Sequence, residues 1–451
     1  MISSPLASFT AARNTCKLCA PLGACLAFRG VEGTVPLLHG SQGCATYIRR
    51  YLISHYKEPI DIASSNFDEA AAVYGGRENL RSALQNVIRQ YQPKCIGIAT
   101  TCLAETIGDD VRMYLREIRE DLSPNAPELI HVSTPAYAGT HAEGFRAALR
   151  AIVESLASGG PRHDAVNLLC GMASPADLRY LKAIFRDFGL EPILLADYSD
   201  TLDAPAWAEY QVIPPGGTPL DAVRRMGSAR ATVEFADPAP RETTAGALLE
   251  ERFQVPCHRL RLPLGVIETD ALFDLLATLS GRPMPDEHRD QRGRLIDSYV
   301  DAHKHIFGKR AILYGEPDLV VGMASLLCEI GMVPALCATG SEKAGLAEKI
   351  ASATELPEAE LRVLEGADFA EIDEAASAVS ADLVIGSSKG YRLARTLGVP
   401  LVRVSFPIHD RIDGARLLHL GYRGAQQLFD RITNALVGAA QDASPVGYSY
   451  M

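Results

Sequence analysis

The sequence predicts an α/β protein of three domains, each a parallel sheet flanked by helices. Two observations predict it. A strand-then-helix unit recurs along the chain, and 451 residues are too many for one hydrophobic core. Strands that alternate with helices pair in parallel through crossover connections, which leaves helices on both faces of each sheet.

The clearest unit begins at Ala165–Cys170, a short apolar run of strand type followed by Gly171. Ser174 and Pro175 are a helix N-cap and a first-turn proline. Leu178, Leu181, Ile184, Phe185 and Phe188 follow at helical spacing, Gly189 stops the helix, and Pro192 leads into a strand at Ile193–Ala196. The same grammar returns at Ala311–Tyr314, where Gly315 and Pro317 open a helix, Gly331 closes it and Pro334 precedes the strand Ala335–Ala338. A third copy runs from the strand Asp382–Gly386 through the helix Lys389–Leu397 to the strand Leu401–Val404. Domains are expected near 1–160, 161–305 and 306–451, with Pro283–Gln291, rich in proline and charge, as a surface linker.

Composition narrows the function classes. With 47% hydrophobic and 22% charged residues the chain reads as an ordinary globular protein. A formal net charge of −11 argues against a nucleic-acid partner, which needs a basic face. No apolar run is long enough to span a membrane, and Met1–Ala12 lacks the basic start and apolar stretch of a secretory signal. The expectation is a soluble, cytoplasmic protein. In that reducing compartment ten cysteines read as buried apolar residues or metal ligands, not as disulfides. Cys25, Cys95, Cys170, Cys328 and Cys337 sit in apolar strand or helix patterns and are assigned to the core.

Three cysteines have a different setting. Cys102 follows the strand-like run Cys95–Ala99, itself preceded by an amphipathic helix Arg77–Tyr91 that puts Leu80, Leu84, Val87, Ile88 and Tyr91 on one face. Cys44 follows the turn Gly40–Gly43 and begins a helix bearing Ile48, Tyr51 and Leu52. Cys19 precedes the helical stretch Leu22–Phe28. Each is placed in a turn at a helix N-terminus, where free N–H groups and the helix dipole stabilise a thiolate. Turns at the carboxyl ends of parallel strands converge on one edge. Three thiolates gathered from distant sequence suit an iron–sulfur cluster better than a lone zinc ion, whose ligands come in closely spaced pairs. Cys16 and Cys19 form one such pair, but no second pair accompanies them.

Longer motifs carry a family resemblance. Pro21-Leu22-Gly23-Ala24, the run from His39 to Cys44, the run from His55 to Pro59, Val73-Tyr74-Gly75-Gly76 and the run from Thr100 to Asp110 resemble, in order, the β subunits of the nitrogenase component 1 family. The runs Ile312–Leu319, Phe406–Arg411 and Gly421–Gly424 extend the resemblance through most of the chain. It implies a nitrogenase component 1 fold of three Rossmann-like domains. It also implies that Cys19, Cys44 and Cys102 hold half of an interfacial cluster of P-cluster type, [8Fe-7S]-like, with a [4Fe-4S] cluster as the alternative. The implied partners are an α-type subunit, in an α2β2 assembly, that supplies the other ligands and carries the catalytic cofactor, and an ATP-dependent Fe protein that donates electrons.

The resemblance is not uniform. Molybdenum-type β subunits carry a serine near the cluster, where this chain has Ala136 in Ser133-Thr134-Pro135-Ala136-Tyr137, and a long N-terminal extension is missing. The cysteine and histidine that hold the catalytic cofactor in α-type subunits fall here on Asp237 or Pro238 and on Leu420. His419 reads as a satisfied surface histidine and Cys257 is displaced from the ligand position, so this chain is not expected to hold that cofactor. Segments such as Lys17–Cys25 and Gly421–Asp430 resemble the cofactor-assembly scaffold branch, but the cysteine trio is that of a reductase. The favoured expectation is therefore the β subunit of a methylthio-alkane reductase that cleaves C–S bonds reductively. The alternatives are the assembly scaffold and a nitrogenase reducing dinitrogen.

Overall fold

The computed structural model describes residues 14–236, 239–342, 344–354, 356 and 361–447. The reading of Met1–Ala12 and the Asp237 or Pro238 correspondence lie outside them. Among the described residues three sheets carry the fold, and their strands pair in parallel throughout. The first contains β1 (Thr34–His39), β2 (Ala63–Ser64), β3 (Cys95–Thr100) and β4 (Glu128–Val132) in the order β2-β1-β3-β4. The second contains β5 (His163–Leu169), β6 (Pro192–Leu195), β7 (Ala229–Phe235) and β8 (Cys257–Leu260) in the order β6-β5-β7-β8. The third contains β9 (Arg310–Gly315), β10 (Val333–Thr339), β11 (Val363–Leu364), β12 (Leu383–Gly386) and β13 (Leu401–Arg403) in the order β11-β10-β9-β12-β13.

The reasons are local and readable. β1 and β3 are buried along their whole length, as central parallel strands covered on both faces must be. Ser174 caps the helix Pro175–Asp187 by accepting from the Asp177 N–H at 2.9 Å, with Pro175 in the first turn. The helix Arg77–Tyr91 has its expected bounds and buries Leu80, Ala83, Leu84 and Val87. Pro334 lies inside β10, not before it. The pairing register shifts between Pro334 and Leu336, and that irregularity accommodates a residue with no N–H to donate.

One expectation is corrected. Only the first residues of Pro283–Gln291 form a connection. From Asp286 the chain is a helix running to Ile306, with Pro285 at its N-cap and Asp286 and Glu287 in the first turn, where acidic side chains favour the helix dipole.

Two helices cross unusually closely. Ala20–Arg29 lies against His141–Leu156, and a Cβ built on Gly23 would come within 1.8 Å of the His141 carbonyl oxygen. One built on Gly144 would come within 2.0 Å of the Ala20 carbonyl oxygen. Only glycine permits this approach from both sides. His141–Leu156 begins with a full capping box between Thr140 and Glu143, which fixes where His141 starts the helix. No helix among the described residues is long and apolar enough to cross a membrane.

Candidate functional site: three cysteines at one sheet edge

The carboxyl ends of β1 and β3 are in register, with His39 beside Thr100. The two segments that leave this edge carry Cys44 and Cys102. Ser41 caps the helix Gln42–Tyr56, and Cys44 lies in its first turn. Thr101 is the N-cap of Cys102–Ile107, so Cys102 is that helix's first residue. Cys19 is itself the N-cap of Ala20–Arg29, and its carbonyl accepts from the Leu22 N–H at 3.1 Å. All three are partly exposed, whereas Cys25, Cys95, Cys170 and Cys337 are buried core residues. Cys328 is partly exposed in the helix Pro317–Glu329 and, like the buried four, is no part of the trio.

The thiols sense one another. Burial pushes the Cys19 thiol up to about 11, and the charges of Cys44 and Cys102 add to that. Cys44 is raised by burial first and then by Cys102. Cys19 thus lies within reach of the other two charges and Cys44 within reach of Cys102, and a cationic metal centre would oppose both upward shifts by favouring the deprotonated ligands. Among the described residues no group of three or more His, Cys, Asp and Glu side chains closes on a single metal ion. The donor chemistry, three thiols on helix N-termini with an open side, fits one half of a multinuclear iron–sulfur cluster.

Buried hydrogen bonds hold the edge. The Gly40 N–H donates to Ser65 Oγ at 2.9 Å, and Ser65 Oγ lies 3.1 Å from His39 Nδ1. A Cβ on Gly40 would meet Thr101 Oγ1 at 1.8 Å, so the turns before Cys44 and Cys102 touch only because residue 40 has no side chain. On the far side the Thr134 N–H donates to Thr100 Oγ1 at 2.9 Å, and Ser133 Oγ donates to Glu105 Oε1 at 2.5 Å. Ala136 opens a short turn beyond them and offers no side-chain oxygen. Tyr47 donates to Tyr51 at 2.9 Å beside the trio, and the Tyr51 hydroxyl is pushed to about 12 by burial and the Tyr47 bond.

His419 is not a surface residue. It is buried, its Nδ1 lies 3.7 Å from Asp177 and its Nε2 lies 3.3 Å from Arg431. Leu420, the position aligned with a cofactor histidine, is also buried and caps the helix Gly421–Ala443. Cys257 opens β8 with its thiol 3.8 Å from Glu234 Oε2. A cavity of about 70 Å³ lies between the second and third sheets and the end of the helix Gln42–Tyr56, walled by His55, Asp177, Glu316, Asp318, Ser405 and Phe406. Sequence reasoning missed one of its wall groups. Glu316 Oε1 lies 2.7 Å from His141 Nε2, and the only sequence signal near that histidine is the capping box.

Comparison with known proteins places this arrangement. Residues 19–437 match the family model of nitrogenase component 1 type oxidoreductases. The nitrogenase molybdenum-iron protein beta chain of Methanothermobacter marburgensis is 35% identical over 94% of this chain and 94% of its own length. The nitrogenase vanadium-iron protein beta chain of Trichormus variabilis is 33% identical over 93% and 92%. Among solved structures, a chain of nitrogenase Cp1 at pH 6.5 superposes with a TM-score of 0.94 at 30% identity, covering 99% of this chain and 98% of that one. The three parallel sheets are thus those of an oxidoreductase subunit. The chain belongs to the nitrogenase component 1 family, and within it to the β-chain type.

Proposed function

We propose that the chain is the electron-relay subunit of a component 1 reductase, with Cys19, Cys44 and Cys102 holding half of a P-cluster-type centre shared with an α-type partner. The observation that carries this reading is the trio itself: three partly exposed thiols on three helix N-termini at one sheet edge. When bound, such a cluster takes up and passes on single electrons, which an ATP-dependent Fe protein would supply. The residues of this chain set the three thiols at helix starts, and the positive charge of the cluster iron would favour their deprotonated form against the burial that raises Cys19 and Cys44. The buried polar ties of His39, Ser65 and Thr100 hold the turns still, and the core beneath Cys19 and Cys44 excludes water from one side. The catalytic cofactor belongs to the α-type subunit of a cytoplasmic α2β2 assembly. The complete trio favours turnover over a scaffold with a simpler [4Fe-4S] cluster.

The names of the relatives support dinitrogen reduction as the reaction served. Ala136, which removes the serine oxygen of molybdenum-type chains, favours a second reading, reductive C–S cleavage of methylthio-alkanes. One assay separates them. The complex with its α-type partner and Fe protein is supplied with ATP and reductant without oxygen, iron is counted per αβ pair, and ammonia is measured beside methane and ethylene. Ammonia supports the first reading and hydrocarbon from methylthio compounds the second. Iron without either product points to the scaffold, and absence of interfacial iron contradicts the proposal.

A further inference from the structure

We infer that His141 is a positioning residue for Cys19, clamping the preceding residue at both ends while Glu316 fixes the ring. The inference rests on Cys19 being a cluster ligand. The Leu18 N–H donates to His141 Nδ1 at 3.2 Å, and the His141 N–H donates to the Leu18 carbonyl at 2.9 Å. One residue therefore satisfies both backbone groups of Leu18, leaving the chain little freedom to carry Cys19 elsewhere. The side chain is only 5% exposed.

The clamp has a defined chemistry. Because Nδ1 accepts from Leu18, the ring proton sits on Nε2, and it is donated to Glu316 Oε1 at 2.7 Å. Glu316 is the N-cap of Pro317–Glu329 and forms part of the cavity wall. The anchor of Cys19 thus lies in the third sheet's connection, far along the chain. The strand of chain before it is fastened to the same region: the Cys16 N–H donates to the Ala367 carbonyl at 3.3 Å, and Lys389 Nζ donates to the Thr15 carbonyl at 2.7 Å. The arrangement is that of an outer partner that orients a ligand by gripping its backbone.

Two substitutions divide the ring's functions. In His141→Asn the side-chain oxygen takes the place of Nδ1 and still accepts from Leu18, but the reach to Glu316 is lost. In His141→Gln the amide nitrogen takes the place of Nε2 and still donates to Glu316, but Leu18 loses its acceptor. The stability order should put His141→Asn below His141→Gln, because it leaves the largely buried Glu316 carboxylate without its partner. The cluster should follow the opposite order.

The test uses the complex with the α-type partner. It measures the rate of interfacial iron release to a ferrous chelator, the electron paramagnetic resonance line of the cluster, and thermal stability. His141→Gln should release iron about ten-fold faster with a broadened line, the scale of outer-shell losses at metal sites, while His141→Asn stays near wild type on both. Iron release that follows the stability order, or a His141→Gln protein identical to wild type, overturns the clamp and leaves the relay function standing. A wild-type complex with no interfacial iron overturns both.

Discussion

Asp109 Oδ2 lies 3.1 Å from His39 Nε2, with the two side chains 3% and 0% exposed, and this pair joins the end of β1, before the turn to Cys44, to the segment that follows the helix Cys102–Ile107. Asp109 also accepts from the Gly76 N–H at 3.0 Å and from the Tyr114 hydroxyl at 3.2 Å. Burial pushes the His39 imidazole down while Asp109 opposes it. The carboxylate thus meets groups from three separate segments near the edge.

Removing it should be costly at two levels. Asp109→Ala strands His39 and the Gly76 N–H in the interior, with an expected loss of about 2–4 kcal/mol. Chemical denaturation of the isolated chain gives that figure. Iron per αβ pair should fall with it, and Asp109→Asn, which keeps one acceptor oxygen, should lie between.

The close helix crossing makes a second prediction. Gly144→Ala places a methyl group where the Ala20 carbonyl already stands, so the two helices must part. An overpacking cost of about 1–3 kcal/mol is expected, read as a lower melting temperature. Because Ala20 follows Cys19, the substitution should also disturb the cluster, whereas Gly438→Ala, with open space around it, should do neither.

Acid should destabilise the fold through two histidines. Burial pushes His55 down to about 3, with His409 and Lys57 adding, and burial beside Arg431 pushes His419 down to about 3. The His55 Nδ1 is occupied by the Ile408 N–H at 2.9 Å. A histidine whose folded value is depressed contributes stability that is present above its unfolded value, near 6.5, and is lost as pH falls below it. Asp177 works the other way: burial raises it to about 6, so its contribution is present at low pH and lost as pH rises through that value. Between about pH 4 and 6 the unfolded chain binds two histidine protons against one native carboxyl proton. These three groups should therefore contribute a loss of about 1.4 kcal/mol per pH unit on acidification, to which His131, pushed down to about 4 mainly by burial, adds. Replacing His419 by Phe should flatten that slope.

Much of this was legible beforehand, for physical reasons. Caps, stops and apolar periodicity are local, and Ser174, Pro175, Gly189 and Gly398 mark boundaries that the structure keeps. The helix-start placement of Cys19, Cys44 and Cys102 came from the same local grammar. Charge and proline in Pro283–Gln291 misled because the same residues that solvate a linker also start a helix at Asp286. His419 misled because its burial depends on Asp177, whose carboxylate is 242 positions away and accepts from the His419 N–H. The His141–Glu316 contact spans 175 positions and has no local signature at all. Pairings of that kind are set by how the sheets pack, which a single sequence does not display.

The central claim is that these three thiols hold half of an interfacial cluster, and iron counted per αβ pair in Cys44→Ala, beside wild type and with the α-type partner present, tests it most directly. The account predicts that the variant still folds and pairs but loses the interfacial iron, its paramagnetic signal and Fe-protein-dependent turnover together. Wild-type iron content and turnover in that variant would contradict it.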